Sequence, residues 1–273
     1  MGTFRLVLEY DGADFAGWQR QAPGTRAVQT VLEEALARIV GHPAVVVGAS
    51  RTDAGVHAEG QVASTRLETA LDAPTLRRAL NATLPDDVAV RALGPVPDAF
   101  HALRDARSKL YCYAIWNGDG PSPLRARRFH YVPGRLDVGA MREAARGLVG
   151  RHDFASFQTR AAEWRAEAGE AGRERSTERT LTRLELRGEA GGELHLEVEG
   201  NGFLRHMVRT IVGTLVEVGR GRRSPRSLAD VLAARSRLAA GPTAPALGLT
   251  LVRVGYAPPA GGGAAERLDP TRA

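Results

Sequence analysis

Three short stretches hold residue types that could do chemistry. The first is Ser50-Arg51-Thr52-Asp53-Ala54-Gly55-Val56-His57-Ala58, a polar run that follows an apolar segment and is bracketed by Gly48, Gly55 and Gly60. A polar loop at the end of a buried strand suits a site, because the scaffold fixes the main chain while the side chains face outward. Spacing alone also allows an ordinary turn, with Asp53 bonding its own main chain, Arg51 solvated and His57 filling a strand position.

The second stretch is Phe203-Leu204-Arg205-His206-Met207-Val208-Arg209. Asn201 is a candidate N-cap, which puts Arg205 in the first turns of a helix, where the macrodipole disfavours a cation by roughly 0.3–1 kcal/mol. A cation so placed wants an anion nearby. Arg209 falls one turn further along the same stripe, and the plainer alternative is two arginines whose stems lie over the core. The third stretch is Lys109-Leu110-Tyr111-Cys112-Tyr113, where Tyr111 and Tyr113 face one side of a strand and could stack nucleobases or simply pack in the sheet.

The elements that must position these residues repeat. Residues 4–10 alternate as a strand, and Val28, Val31, Leu32, Ala35, Leu36 and Ile39 fall at helical spacing. Strands over 44–49 and 60–67, a short helix over 74–82 and a strand over 88–93 complete the order β-α-β-β-α-β. The second half begins with a strand over 110–116 and a long connection through Pro121, Pro123 and Pro133. Asp137 then caps a helix through Met141, Ala144, Ala145, Leu148 and Val149 that Gly150 stops. Strands over 181–186 and 194–198, the strongest helical pattern at 203–218, an extra helix over 224–236 and a closing strand over 249–254 follow. This predicts an α+β protein of two similar halves, residues 1–105 and 106–257, with mainly antiparallel sheets that carry helices on one face and leave the other free for a ligand. The mixed-charge excursion over 160–180 reads as a mobile loop or solvated helix, and 258–273 as a disordered tail.

Composition narrows the chemistry. The chain has 273 residues, 43% of them hydrophobic, enough to bury a core. A single cysteine, Cys112, excludes an intrachain disulfide and a cysteine-based zinc site and points to a reducing compartment. No run approaches the roughly 18 apolar residues of a membrane span, and the first residues read as neither leader nor lipid anchor, so a soluble, cytoplasmic protein is expected. No phosphate-binding glycine loop, metal-ligand cluster or Ser-His-Asp spacing supports ATP-dependent, redox or metal chemistry.

The charge is localised. Residues 201–237 hold eight Arg against Glu217 and Asp230, an excess equal to the net charge of +6 of the whole chain. Residues 104–128 add five Arg and Lys109 against Asp105 and Asp119. Two basic segments in an otherwise balanced chain indicate a polyanion partner.

The run SRTDAGVHA resembles the signature of the tRNA pseudouridine synthase A family. Other stretches resemble family landmarks in the same order: Glu9-Tyr10-Asp11-Gly12 with Gly17-Trp18-Gln19-Arg20-Gln21, Asn81-Ala82 with Leu84-Pro85, Phe100-His101-Ala102, and Lys109 with Tyr111 and Tyr113. They continue with His152-Asp153-Phe154 and Ser156-Phe157, the run from Phe203 to Arg209, and Ala244-Pro245-Ala246 with Gly248-Leu249. Where the family usually carries Arg after Phe-His-Ala, this chain has Leu103 followed by Arg104, and its 160–180 excursion is longer than usual.

The resemblance implies a pseudouridine synthase fold of two ferredoxin-like (RRM-like) halves around a central cleft. It implies isomerisation of uridine to pseudouridine at about positions 38–40 of the tRNA anticodon arm, by a homodimer, with no cofactor and no metal. By matched position Asp53 is the catalytic nucleophile, Tyr111 the residue against the uracil and Arg205 the partner of Asp53. Arg51 is an RNA-contacting neighbour, and the basic segments, with Lys109 and Arg209, supply substrate contacts. Two other classes remain open on the residues alone: a non-catalytic RNA-binding module that stacks bases on its sheets, and a glycosidase, which wants a second acid that does not stand out.

Overall fold

The first alternating run folds as β1 (Gly2–Tyr10) in a computed structural model that describes residues 1–159 and 176–257. It is followed by α1 (Val28–Val40), β2 (Val46–Gly48), β3 (His57–Leu67), α2 (Ala73–Thr83) and β4 (Val88–Val96), the β-α-β-β-α-β order expected of the first half. Next come β5 (Ala106–Trp116), β6 (His130–Tyr131), α3 (Val138–Arg146), β7 (Gly150–Asp153), β8 (Glu178–Arg187) and β9 (Glu193–Gly200). The chain continues with α4 (Met207–Gly219), α5 (Ser227–Ala234) and β10 (Leu249–Tyr256). It divides into two compact units, the first Met1–Lys109 with the chain from Thr250 and the second Leu110–Leu249.

In unit 1, β1 lies between β3 and β4, antiparallel to both, with Leu6 opposite Ala63 on one side and Leu93 on the other. The helices form for local reasons. α1 turns Val28, Leu32, Ala35 and Leu36 inward, and Gly41 ends it in the left-handed region with its N–H on the Ala37 carbonyl. α2 is started by Asp72, whose carboxylate accepts the Thr75 N–H at 2.8 Å, and by a proline in its first turn. β3 departs from the expected pattern, since every residue from Gly60 to Thr65 is buried and neither of its faces is open. Gln61 and Ser64 point to opposite faces, and Ser64 Oγ receives the Ala102 N–H at 3.1 Å, so the chain after β4 covers that side.

The closing strand also departs. Its pattern announces a strand but not a partner, and reading order assigned it to the second half. Thr250 and Leu251 pair in parallel with His57 and Ala58, so β10 belongs with unit 1.

In unit 2, β7 and β9 flank β8 in antiparallel pairing, with Gly150 opposite Leu181 and Leu184 opposite Val198. α4 is buried along its length except at Arg209 and Glu217, and packs on α3. Asp137 caps α3 as predicted, accepting the Ala140 N–H at 2.9 Å, but the helix stops at Gly147 rather than Gly150. Gly150, at φ 113°, opens β7 instead. The structure starts α4 at Met207, not at residue 203, because His206 adopts φ 61° and ψ 5° and breaks the helical run. Asn201 caps nothing: its main-chain N–H and its side-chain oxygen are both spent on Thr180, at 3.1 and 3.0 Å. Residues 160–175, most of the predicted excursion, and the predicted tail 258–273 lie outside the described residues, while Glu178 already belongs to β8.

Candidate active site

The Asp53 loop leaves the end of β2 and returns into β3 through a tight turn. The Val56 N–H donates to the Asp53 carbonyl at 3.1 Å, with Gly55 at φ 79° in the position where a type II turn requires a left-handed residue. Asp53 thus opens the turn, its side chain half-buried, between exposed Arg51 and exposed Ala54.

The connection between β1 and α1 fastens this loop. Trp18 N–H donates to the Thr52 carbonyl at 3.0 Å, and Gly55 N–H to the Phe15 carbonyl at 3.2 Å. Gly17 sits at φ 105° with its α-carbon against the Thr52–Asp53 main chain, where a Cβ would lie 2.7 Å from the Thr52 oxygen. A Cβ on Gly12 would overlap the Val56 carbonyl. The buried Trp18 indole packs on Gly48. At the exit, the Gly12 N–H donates to Nδ1 of buried His57 at 3.1 Å, and Asp11 Oδ1 stands 3.1 Å from the same nitrogen.

Beneath the loop lies a buried polar cluster. The Gln61 amide accepts the Ser50 N–H at 3.1 Å and donates to the Ser50 carbonyl at 2.7 Å. Tyr10 Oη stands 2.8 Å from Thr52 Oγ1 and receives Gln61 Nε2 at 3.4 Å. Each such bond is worth about 0.5–1.5 kcal/mol net, and a buried group that loses its partner costs about 1–3 kcal/mol. The loop is therefore held by bonds that are expensive to break singly.

Apart from Lys109, the last residue of the first segment of unit 1, the other candidates lie in unit 2. Tyr111 and Tyr113 point to the buried face of β5, and they differ in role. Tyr113 is 0% exposed, donates its hydroxyl to the Pro245 carbonyl at 2.8 Å and meets Gly248, while burial pushes its phenol well above the ordinary value. It is a packing residue, which removes it as a stacking partner for a base. Tyr111, 6% exposed, meets Phe203 edge to face with ring centroids 5.2 Å apart. Lys109, two residues earlier in the strand, is half-buried.

Arg205 lies exposed in the turn before α4, two residues after Phe203, so the structure brings Tyr111 and the Arg205 turn together through that ring. Its main-chain carbonyl accepts the Thr159 N–H at 3.2 Å. Arg209 is half-buried, and its Nε donates to the Ala244 carbonyl at 2.7 Å while the Ala244 N–H returns to the Arg209 carbonyl at 3.1 Å. Arg209 thus ties α4 to the chain ahead of β10.

The basic segments divide in the same way. Arg223 and Arg237 spend their guanidinium groups on main-chain carbonyls near residue 240, and Arg125 pairs with Glu193 at 2.7 Å over the Trp116 ring. Arg220, Arg222, Arg226 and Arg235, and in the other segment Arg104, Arg107, Arg127 and Arg128, are exposed. Leu103, at the departure from the family pattern, is exposed beside Arg104, and both N–H groups point to Nδ1 of His101.

The other face of β8 and β9 carries its own neutralising ladder. Arg183 meets Glu197 at 2.5 Å and Glu185 at 2.9 Å, and Arg187 meets Glu185 at 3.3 Å. A module that stacks bases on an open sheet needs aromatic rings there. In unit 2 Tyr111 and Tyr113 point the opposite way, and acids hold the arginines of this face.

Among the described residues no group of three or more His, Cys, Asp or Glu stands close enough to hold a metal ion, and no helix is long and apolar enough to cross a membrane. Sequence reasoning quoted Tyr10, Gly17, Trp18 and Phe203 without assigning them a role, and it passed over Gln61. The signal for Gln61 was a lone amide inside the apolar run of β3.

The first unit thus carries an acid on a rigid, glycine-pinned turn, and the second an aromatic pair beside an arginine-bearing turn. Residues 6–103 and 144–257 match the tRNA pseudouridine synthase family, and the chain belongs to that family of isomerases. It is 46% identical to a tRNA pseudouridine synthase A of Syntrophotalea carbinolica over 94% of this chain and 98% of that protein. It is 45% identical to one of Paramagnetospirillum magneticum over 94% of this chain and 96% of that protein. A solved archaeal box H/ACA sRNP Nop10-Cbf5 complex shares 12% identity at a TM-score of 0.34, covering 78% of this chain and 43% of that one.

Proposed function

We propose that this protein isomerises uridine to pseudouridine in the tRNA anticodon stem-loop, at positions 38, 39 and 40, with Asp53 as nucleophile and the target base flipped out of its stack. The observation that carries the reading is the Asp53 turn, whose sequence matches the family signature and whose main chain is pinned from both sides by Trp18, Gly17 and the Gln61 cluster. The reaction breaks the N1–C1′ bond, turns the uracil within the site and joins C5 to C1′. The C5 proton leaves, N1 regains one, and nothing is oxidised or reduced, so one carboxylate and no cofactor suffice. Asp53 attacks C1′ or C6, or takes a ribose proton in an elimination.

Arg205 is in this reading the cation that balances and orients the Asp53 carboxylate, by a bidentate contact where geometry allows. Tyr111 packs on the flipped base. Flipping costs a few kcal/mol, and stacking on an aromatic ring returns about 1–3 kcal/mol. The Tyr111–Phe203 contact supports that role, since a ring held edge to face is fixed before the base arrives. Arg51, Lys109 and Arg209 contact the RNA near the target. The exposed arginines of 104–128 and 220–235 grip phosphates, and the working form is a cytoplasmic homodimer.

Mapping of modified positions tests this. Unmodified tRNA transcripts are incubated with the protein or with Asp53→Asn, treated with a carbodiimide that marks pseudouridine, and read by reverse transcription. Stops at positions 38–40 with the native protein alone are expected. Stops elsewhere in the tRNA, or the same stops with Asp53→Asn, would refute the reading.

A further inference from the structure

We propose that Gln61 is a positioning residue for Asp53, acting through Ser50 and through the Tyr10–Thr52 pair. The inference rests on Asp53 being the reacting group. The main-chain ladder between β2 and β3 runs from Val46 opposite Thr65 to Gly48 opposite Ala63, and its last rung is the Ala49 N–H on the Val62 carbonyl at 2.7 Å. The next pair in this register, Ser50 and Gln61, has no main-chain rung: Val62 bonds toward β2, so Gln61 turns its main chain toward Leu8 of β1. The Gln61 side chain bonds Ser50 instead: the amide oxygen accepts the Ser50 N–H and the amide nitrogen donates to the Ser50 carbonyl. The departing chain is thereby bonded on both sides of Ser50 while it turns off the sheet, three residues before Asp53.

The same amide nitrogen reaches Tyr10 Oη at 3.4 Å, and that hydroxyl bonds Thr52 Oγ1 at 2.8 Å, directly ahead of Asp53. Gln61 is 0% exposed and no substrate atom can reach it, so it works only through the loop it holds. A planar amide with one acceptor and two donors fixes orientation as well as position, and a methionine of similar volume fills the space but aims nothing. The loop is closed at its other end by Gly12 and His57, so slack introduced at Ser50 is expressed at the residues between, Asp53 among them.

The test uses the full chain with Gln61→Met, Tyr10→Phe and the pair together, each assayed well below its own melting temperature. Single-turnover release of tritium from the uracil C5 of tRNA and tRNA affinity by filter binding are measured in parallel, with Asp53→Asn as reference. The expected result is a rate lowered about 30-fold by Gln61→Met and about tenfold by Tyr10→Phe, with tRNA Kd within about twofold of native. These sizes follow from a displacement of some tenths of an ångström where 1 Å costs about a hundredfold. The double variant loses no more than Gln61→Met alone, because both cut one chain of contacts.

A native rate in a folded Gln61→Met, or rate and affinity falling together, overturns the proposal. If Gln61→Met does not fold, Tyr10→Phe decides by the same criteria. A fully active Asp53→Asn would instead remove the reading on which the proposal rests, and the two failures are therefore distinct.

Discussion

Replacing Gly17 by alanine pushes on Asp53 from outside the site. The added Cβ would stand 2.7 Å from the Thr52 oxygen, 3.1 Å from the Asp53 carbonyl carbon and 3.2 Å from the Ala54 nitrogen. An ordinary contact begins near 3.4 Å, so the Thr52–Asp53 peptide must retreat by about 0.7 Å or the Gly17 strand must. At φ 105° alanine also pays about 1–3 kcal/mol of backbone strain, and the Trp18 bond to the Thr52 carbonyl, about 0.5–1.5 kcal/mol, is stretched. Together this lowers stability by about 2–4 kcal/mol, or Tm by roughly 5–15 °C for a chain of this size.

At about a hundredfold per ångström, the retreat costs about 10–30-fold in rate, with tRNA affinity unchanged. Gly24→Ala is the control: Gly24 has φ 85° but nothing within 4 Å of its Cβ position, so it bears the backbone strain without moving Asp53. Single-turnover tritium release and thermal melts on both variants are the assay. A native rate in Gly17→Ala, or an equal rate loss in Gly24→Ala, would refute the reasoning.

Tyr111→Phe is expected to keep most of its activity, because the ring does the packing; a rate loss beyond about a thousandfold, roughly 4 kcal/mol, would show that the hydroxyl moves a proton. Tyr113→Phe leaves the Pro245 carbonyl without its donor and is expected to cost about 1 kcal/mol, seen as a Tm lower by about 2–4 °C with turnover unchanged; lost turnover at native Tm would contradict its assignment to packing. Burial, and secondly the charge of Arg220, lower the pKa of His130, so the unfolded chain takes up that proton first as pH falls below about 6.5. Stability from this group is present above that pH and lost below it, and the Tm drop between pH 7.5 and 5.5 should be smaller in His130→Gln than in the native protein.

The local grammar of the first half was legible because each element announces itself. The α1 stripe is uninterrupted, Asp72 and Pro74 mark the start of α2, and Gly55 marks the turn that Asp53 opens. Legibility stopped where tertiary partners overrule local pattern. Asn201 has the chemistry of a cap, but the nearby Thr180 offers its main chain and wins both groups. His206 adopts a left-handed conformation, uncommon for any residue but glycine and not marked by the local pattern, and with it Arg205 moves from the helix into the turn before it. β10 reads as a strand from its sequence, but its partner 193 residues away in β3 is a property of topology alone.

The site was legible in part for the same reason. Asp53 and Arg51 stand on a loop whose sequence carries its geometry, whereas Tyr111 and Tyr113 share one strand face and only the packing tells them apart. Gln61 was invisible because its work is done by a side chain bonding the neighbouring main chain, which no periodicity encodes.

The central claim is that Asp53 does the chemistry and leaves tRNA binding to the arginines. The measurement that meets it most directly is tritium release from the uracil C5 of unmodified tRNA by the native protein and by Asp53→Asn, without added metal or nucleotide, alongside the tRNA Kd of each. The account predicts release by the native protein alone, with the two Kd values within a few-fold. Release by Asp53→Asn at the native rate, or tight binding with no release by either protein, would contradict it.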